Sequence, residues 1–226
     1  MSAIEVVGFT APAKGPVRSA VQRACTVVVT ISNLYGCGAL GIAQRVASEL
    51  GYEYVDEQLP IVVARRLQTT ASAVESVEDA QPGVGERMLR TLELGTPEVG
   101  AGSEVPTFDQ ACLREVQEAV REYAAHGNVV IVGRGAHAIL GANADVLRVF
   151  IQAPRDWRIG RIAEQHRIDP RLAAAETDRI DRARAAYIRM YYGFEWRDPS
   201  HYDLIVDACA FGDSAAALIA AAVRMR

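Results

Sequence analysis

A run of β-branched residues, Thr26-Val27-Val28-Val29-Thr30-Ile31, leads into three closely spaced glycines, Gly36, Gly38 and Gly41, and from there into a helical pattern. The run is apolar on both faces, as expected of a strand covered by helices on each side of a parallel sheet. Beyond the glycines, Ile42, Val46 and Leu50 fall at helical spacing up to Gly51, whose permissive backbone suits a helix C-terminus. Strand, glycine turn and helix in this order aim backbone N–H groups and the positive end of a helix dipole at one point, an arrangement that binds anions and above all phosphate.

The remaining chain continues the alternation. Tyr52 to Val55 reads as a short strand ending at Asp56, and helical character runs from about Glu57 to Leu67. Asp109 is placed to cap a helix reaching His126, Val129–Val132 and Val146–Ile151 read as buried strands, and Leu204–Val206 as a last strand before an alanine-rich helix from Asp213 to Met225. Between them, Arg155 to Tyr192 is helical in pattern, broken near Asp169 and Pro170, and crowded with arginines. Strands alternating with helices imply a parallel sheet. Residues 1–24 mix glycine and proline without a sustained period and read as a flexible leader, leaving 25–226 as one folded domain. A glycine- and proline-rich insertion falls at about 81–106, with Gly85 to Leu94 long enough for a short helix; it reads equally as a substrate-side element or a solvated loop.

Composition narrows the function. A net charge of −4 gives no general attraction to nucleic acid or to an anionic membrane, so any cationic site must be local. Of the 24 basic residues only Lys14 is a lysine, so arginine carries nearly all the cationic chemistry. Cys25, Cys37, Cys112 and Cys209 lack the spacing of a zinc site or a disulfide framework, which points to a reducing cytoplasm. There is no apolar run long enough to span a bilayer, and the four histidines have no ligand-like spacing.

Gly36, Gly38 and Gly41 also spell GxGxxG, and Asp56 follows at the distance a dinucleotide-binding fold requires. The second half bears on the choice. There Val132-Gly133-Arg134-Gly135, the arginine-rich helix and Trp196-Arg197-Asp198-Pro199-Ser200-His201-Tyr202-Asp203-Leu204 follow in order. With the opening TISNLYGCGALGIAQRVASELGYEYVDEQL, and with DRARAAYIRMYYGFEWRDPSHYDLIV, the chain resembles the cytidylate kinase-like family over about 26–67 and 127–207.

The resemblance implies a three-layer P-loop-type α/β fold, with a mostly parallel five-stranded sheet flanked by helices and an arginine-rich helical lid. It implies ATP and Mg²⁺ as partners in phosphoryl transfer to a nucleoside monophosphate resembling CMP or dCMP. Gly36, Cys37, Gly38, Ala39, Leu40 and Gly41 would hold the donor phosphates. Arg134, Asp181 and Arg184 would hold the acceptor phosphate and Asp56 would face the acceptor ribose or base. Arg158, Arg161 and Arg182 would neutralise the transferred group. A solvated helix whose arginines pair with Glu164, Glu176, Asp178 and Asp181 would account for the same residues without a ligand.

The chain departs from the pattern at Ala39, where a P-loop carries lysine, and at Leu40, where relatives carry arginine and where other P-loops place a metal-binding hydroxyl. Arg45, Lys14 or a lid arginine are the candidates to restore the charge. His137 stands where relatives tend to have aspartate, and Asp207 where they tend to have asparagine. Three readings stay open: the kinase, a nucleotide-binding regulatory protein that has lost turnover, and an NAD(P)-binding oxidoreductase.

Overall fold

In the computed structural model, which describes residues 27–56, 58–70, 72 and 108–226, five strands form a single parallel sheet. They are β1 (Val28–Asn33), β2 (Glu53–Val55), β3 (Val129–Val132), β4 (Val146–Gln152) and β5 (Leu204–Asp207), in the spatial order β2-β3-β1-β4-β5. β1 lies in the middle, with Val28 paired to Val129 on one side and to Val146 on the other. Its residues from Val28 to Ser32 are buried, as the uninterrupted β-branched run requires.

The alternation along each strand divides the core into two layers. Val29, Ile31, Val130, Val132, Leu147, Val149 and Ile151 point towards α1 (Ala39–Leu50) and α8 (Ser214–Arg224). Val28, Val129, Ile131, Val146 and Val55 point the other way, towards α2 (Gln58–Arg66), α3 (Phe108–His126) and the short α4 (Ala136–Leu140). The result is the three-layer α/β arrangement expected of the alternating pattern. Gly51 closes α1 in a left-handed conformation at φ 67°.

The arginine-rich stretch forms two helices, α5 (Arg155–His166) and α6 (Pro170–Tyr192), packed on each other. The break falls where Pro170 begins α6, and the Asp169 carboxylate caps it by accepting the Arg171 N–H at 2.7 Å. α3 starts at Phe108, so Asp109 lies in its first turn rather than ahead of it. The sequence pattern missed α4 and the four-residue α7 (Ala208–Phe211), both too short to show a period. The leader at 1–24, the insertion at 81–106 and its suggested helix lie outside the described residues. No helix among the described residues is long and apolar enough to cross a membrane.

Ile131 is fully buried in the layer beneath α3. Ile131→Ala is expected to lower unfolding free energy by about 3 kcal/mol, read from urea denaturation.

Candidate functional site

The glycine turn leaves β1 at its C-terminal end, and β3 and β4 end beside it, so the turn overhangs the edge where open parallel sheets bind their ligands. A cleft of about 850 Å³ opens there, bounded by the turn, the β3–α4 turn, and α5 and α6. Gly38 sits at the N-cap of α1 with φ 72° and supplies no side-chain cap, and no acidic residue occupies the first turn of the helix. The N–H groups that open α1 therefore meet no capping side chain from Gly38.

The candidate residues separate into three groups. Gly36, Gly38, Ala39, Leu40, Gly41, Asp56, Arg134, Arg161 and Arg184 all line the cleft. Arg134 reaches it from a turn in which Gly133, Arg134 and Gly135 have φ of 68°, 56° and 65°. A left-handed arginine between two left-handed glycines is a costly backbone, of the kind that concentrates at functional sites. Arg184 donates to the Asn33 carbonyl at 2.8 Å, which ties α6 to the end of β1.

Cys37, Arg158 and Asp181 form the second group, buried behind the turn. The Cys37 side chain packs in the core, and burial pushes its thiol up to about 12, so it offers backbone only to a ligand. Asp181 accepts the Tyr35 N–H at 2.9 Å, Arg158 Nη1 at 2.9 Å and Arg197 Nη2 at 3.2 Å. Arg158 further donates to the Tyr35 carbonyl at 2.8 Å and to the Ala153 carbonyl at 3.1 Å. Arg158 and Asp181 thus hold the outer side of the loop. Arg158 and Arg161 stand three residues apart on α5, yet Arg158 turns inward with Ile159 and Ile162, while Arg161 is exposed in the cleft. The third group is Arg182 alone, exposed on α6 and outside the cleft lining.

The sequence reading gave no site role to Tyr35 or Ser32, and marked His137 only as a departure from its relatives after the GRG turn. Tyr35 straps the loop to α6 through its hydroxyl, which donates to Glu176 Oε1 at 2.7 Å. Burial, with the Glu176 carboxylate beside it, holds that phenol up at about 12. At the other end of the cleft, Tyr202 donates its hydroxyl proton to the Trp196 carbonyl at 2.7 Å. Towards His137 Nε2, 3.2 Å away, the Tyr202 oxygen must therefore accept, which places the imidazole proton on Nε2. Nδ1 is left to accept the Ser32 hydroxyl at 2.9 Å, so Ser32 turns only lone pairs to the cleft. Burial pushes His137 down to about 4, keeping it neutral. The sequence hint was a histidine three residues after the GRG arginine; its partners are remote in the chain.

The strand order bears on the dinucleotide reading. β3 lies between β1 and β2, so Asp56 at the end of β2 stands two strand spacings, roughly 10 Å, from β1. In a dinucleotide-binding fold the acidic strand adjoins the glycine strand. Among the described residues no group of three His, Cys, Asp or Glu side chains is placed to hold a metal ion. Mg²⁺ commonly takes only one or two protein ligands and completes its shell with water and substrate phosphates, so it does not require such a group.

Two predictions follow from the buried polar groups. Asp181→Ala leaves Arg158 buried without its carboxylate and is expected to cost about 3–5 kcal/mol in denaturant unfolding. Because His137 takes up its proton far more readily unfolded than folded, its contribution is complete above about pH 6.5 and lost as pH falls towards about 4. The wild type should lose about 3 kcal/mol across that window that His137→Gln keeps, measured by unfolding at pH 7 and pH 4.

Comparison with known proteins agrees with the geometry. The model of the cytidylate kinase-like family matches residues 28–209. The cytidylate kinase of Halobacterium salinarum is 27% identical over 190 residues, covering 84% of each chain. That of Ignicoccus hospitalis is 28% identical over 188 residues, covering 83% of this chain and 93% of its own. Among solved structures, an uncharacterized protein from Eubacterium ventriosum superposes with a TM-score of 0.64 at 19% identity, covering 88% of this chain and 99% of that one. Shikimate kinase from Bacteroides thetaiotaomicron gives 0.50 at 17% identity, covering 88% and 98%. The all-parallel sheet is that of the P-loop kinases, and the family match does not favour an oxidoreductase. With its glycine turn, its arginine-lined cleft and a family match spanning most of its length, the chain belongs to the cytidylate kinase-like family.

Proposed function

We propose that this chain transfers the γ-phosphoryl group of ATP to a nucleoside monophosphate, with CMP or dCMP as the acceptor. The observation that carries this reading is the convergence of Arg134, Arg161 and Arg184 with the N-terminus of α1 on one cleft at the C-terminal edge of the sheet. Phosphoryl transfer asks for alignment and charge neutralisation more than for covalent chemistry, and these groups supply both.

The backbone amides of residues 36–41 bind the donor phosphates. Arg134 and Arg184, from the β3–α4 turn and α6, bind the acceptor phosphate and hold its oxygen in line with the γ-phosphorus. Asp56, at the far edge of the cleft, accepts from the acceptor's ribose or base. Asp181 acts behind the loop: with Arg158 it fixes the Tyr35 peptide and hence the direction of the amides that follow. Mg²⁺ bound with the nucleotide would supply further neutralisation of the developing negative charge.

The test is label transfer from γ-labelled ATP with Mg²⁺ across a panel of nucleoside monophosphates. Transfer to CMP or dCMP is expected, falling by about a hundredfold or more in Arg134→Ala. ATP binding without transfer to any monophosphate would overturn the kinase reading in favour of a nucleotide-binding protein without turnover.

A further inference from the structure

The closing helix α8 is apolar on both sides. Ala215, Ala216, Ile219, Ala220 and Val223 form its buried side, packed towards α1 and the sheet. The other side carries Ser214, Ala217, Leu218 and Ala221, with Met225 at the helix end, all of them exposed, Leu218 at 42% and Met225 at 80%. Phe211, at the turn into the helix, is 48% exposed. No charged residue stands between Asp213 and Arg224. A helix on the surface of a folded domain turns charged and polar groups to water, as α1 does with Gln44, Arg45, Ser48 and Glu49, whereas a helix apolar all round is a buried one.

The spacing of the outer face is that of a helix-pairing seam. Ser214, Leu218, Ala221 and Met225 recur at intervals of four, three and four residues. Ala217 and Ala221 flank Leu218 with small side chains, which lets a second helix approach closely while Leu218 supplies the contact.

The charges at the rim of this face point to the partner. Asp213 and Arg224 stand eleven residues apart, about three helical turns, and so on the same side of the helix. Asp213 pairs with Arg45 of α1 at 2.5 Å, and Arg224 with Glu49 of α1 at 3.0 Å. At one end of the rim α8 supplies the acid and α1 the base, and at the other end the roles are exchanged. Laid antiparallel across a twofold axis, a second copy sets Asp213 beside the partner's Arg224 and Arg45 beside the partner's Glu49, at both ends. The face is complementary to itself in that arrangement, as an isologous contact requires, and the helix dipoles oppose. A parallel arrangement would set Asp213 against the partner's Asp213.

We propose that the outer face of α8 binds a second copy of this chain, helix against antiparallel helix, with Leu218 near the twofold axis and the acid–base pairs closing each end. The inference goes beyond the nucleotide chemistry and does not depend on it. Arg45 and Asp213 also line the cleft, so the interface borders the site.

The test is sedimentation velocity on the full chain from about 1 to 100 µM, a range suited to a contact of this modest size. The wild type should pass from monomer to dimer, and Leu218→Glu should stay monomeric. Asp213→Arg and Arg224→Asp should each raise the dimer dissociation constant about tenfold or more, because each sets like charges together at both ends of the face. An equimolar mixture of these two variants should return to within about threefold of the wild type, since in the mixed dimer every acid again meets a base, and that recovery also shows that both variants fold. A wild type that stays monomeric means that another molecule or another segment of the chain covers the face, and overturns the proposal. A dimer that Leu218→Glu leaves intact lies on a different surface and overturns it too. Single variants that weaken the dimer without recovery in the mixture overturn the antiparallel pairing.

Discussion

The buried carboxylate of Asp181 is the contact on which the site depends. It lies at the centre of α6, yet it accepts a backbone N–H from the glycine loop and guanidinium protons from α5 and from the segment before β5. Four parts of the chain meet at one charge. An ionised group taken out of water is stable only if its lone pairs are occupied by well-aligned donors, so the network holds together as a unit. The direction of the Tyr35 peptide, and with it the amides that follow, is set by that requirement.

Around this centre the glycine loop is held from outside and left open inside. Arg158, Glu176 and Asp181 occupy the groups facing the helical layer, while the N-terminus of α1, Arg134, Arg161 and Arg184 face the cleft. The far wall is organised in the same way. The chain from Ser32 through His137 and Tyr202 to the Trp196 carbonyl satisfies each buried polar atom in turn and fixes the Ser32 hydroxyl. A neutral histidine does this without adding charge to the cleft.

Much of the fold was legible because strands buried on both faces and helices with a 3.6 period leave strong signals. The five strands, the glycine turn, the helix ending at Gly51 and the break at Pro170 are all written in local pattern. What the pattern does not encode is which strand lies beside which. Asp56 fits a dinucleotide site by spacing, and only the insertion of β3 between β1 and β2 moves it away from β1. The same limit applies to the arginines. Arg158 and Arg161 look equivalent at i, i+3, but one shares the buried face with Ile159 and Ile162 and the other faces the cleft, a difference set by how α5 packs on the loop. Tyr35, Glu176, Ser32 and His137 become a site only through contacts more than a hundred residues apart in sequence.

The central claim is that one cleft holds donor and acceptor together. A crystal structure with a bisubstrate analogue, adenosine and cytidine joined through a chain of phosphates, tests it directly. The account predicts the phosphate chain running from the amides of residues 36–41, beneath the Arg161 guanidinium, to Arg134 and Arg184, with cytidine towards Asp56. An analogue bound elsewhere, or seated with its phosphates away from Arg161 and Arg134, would contradict it.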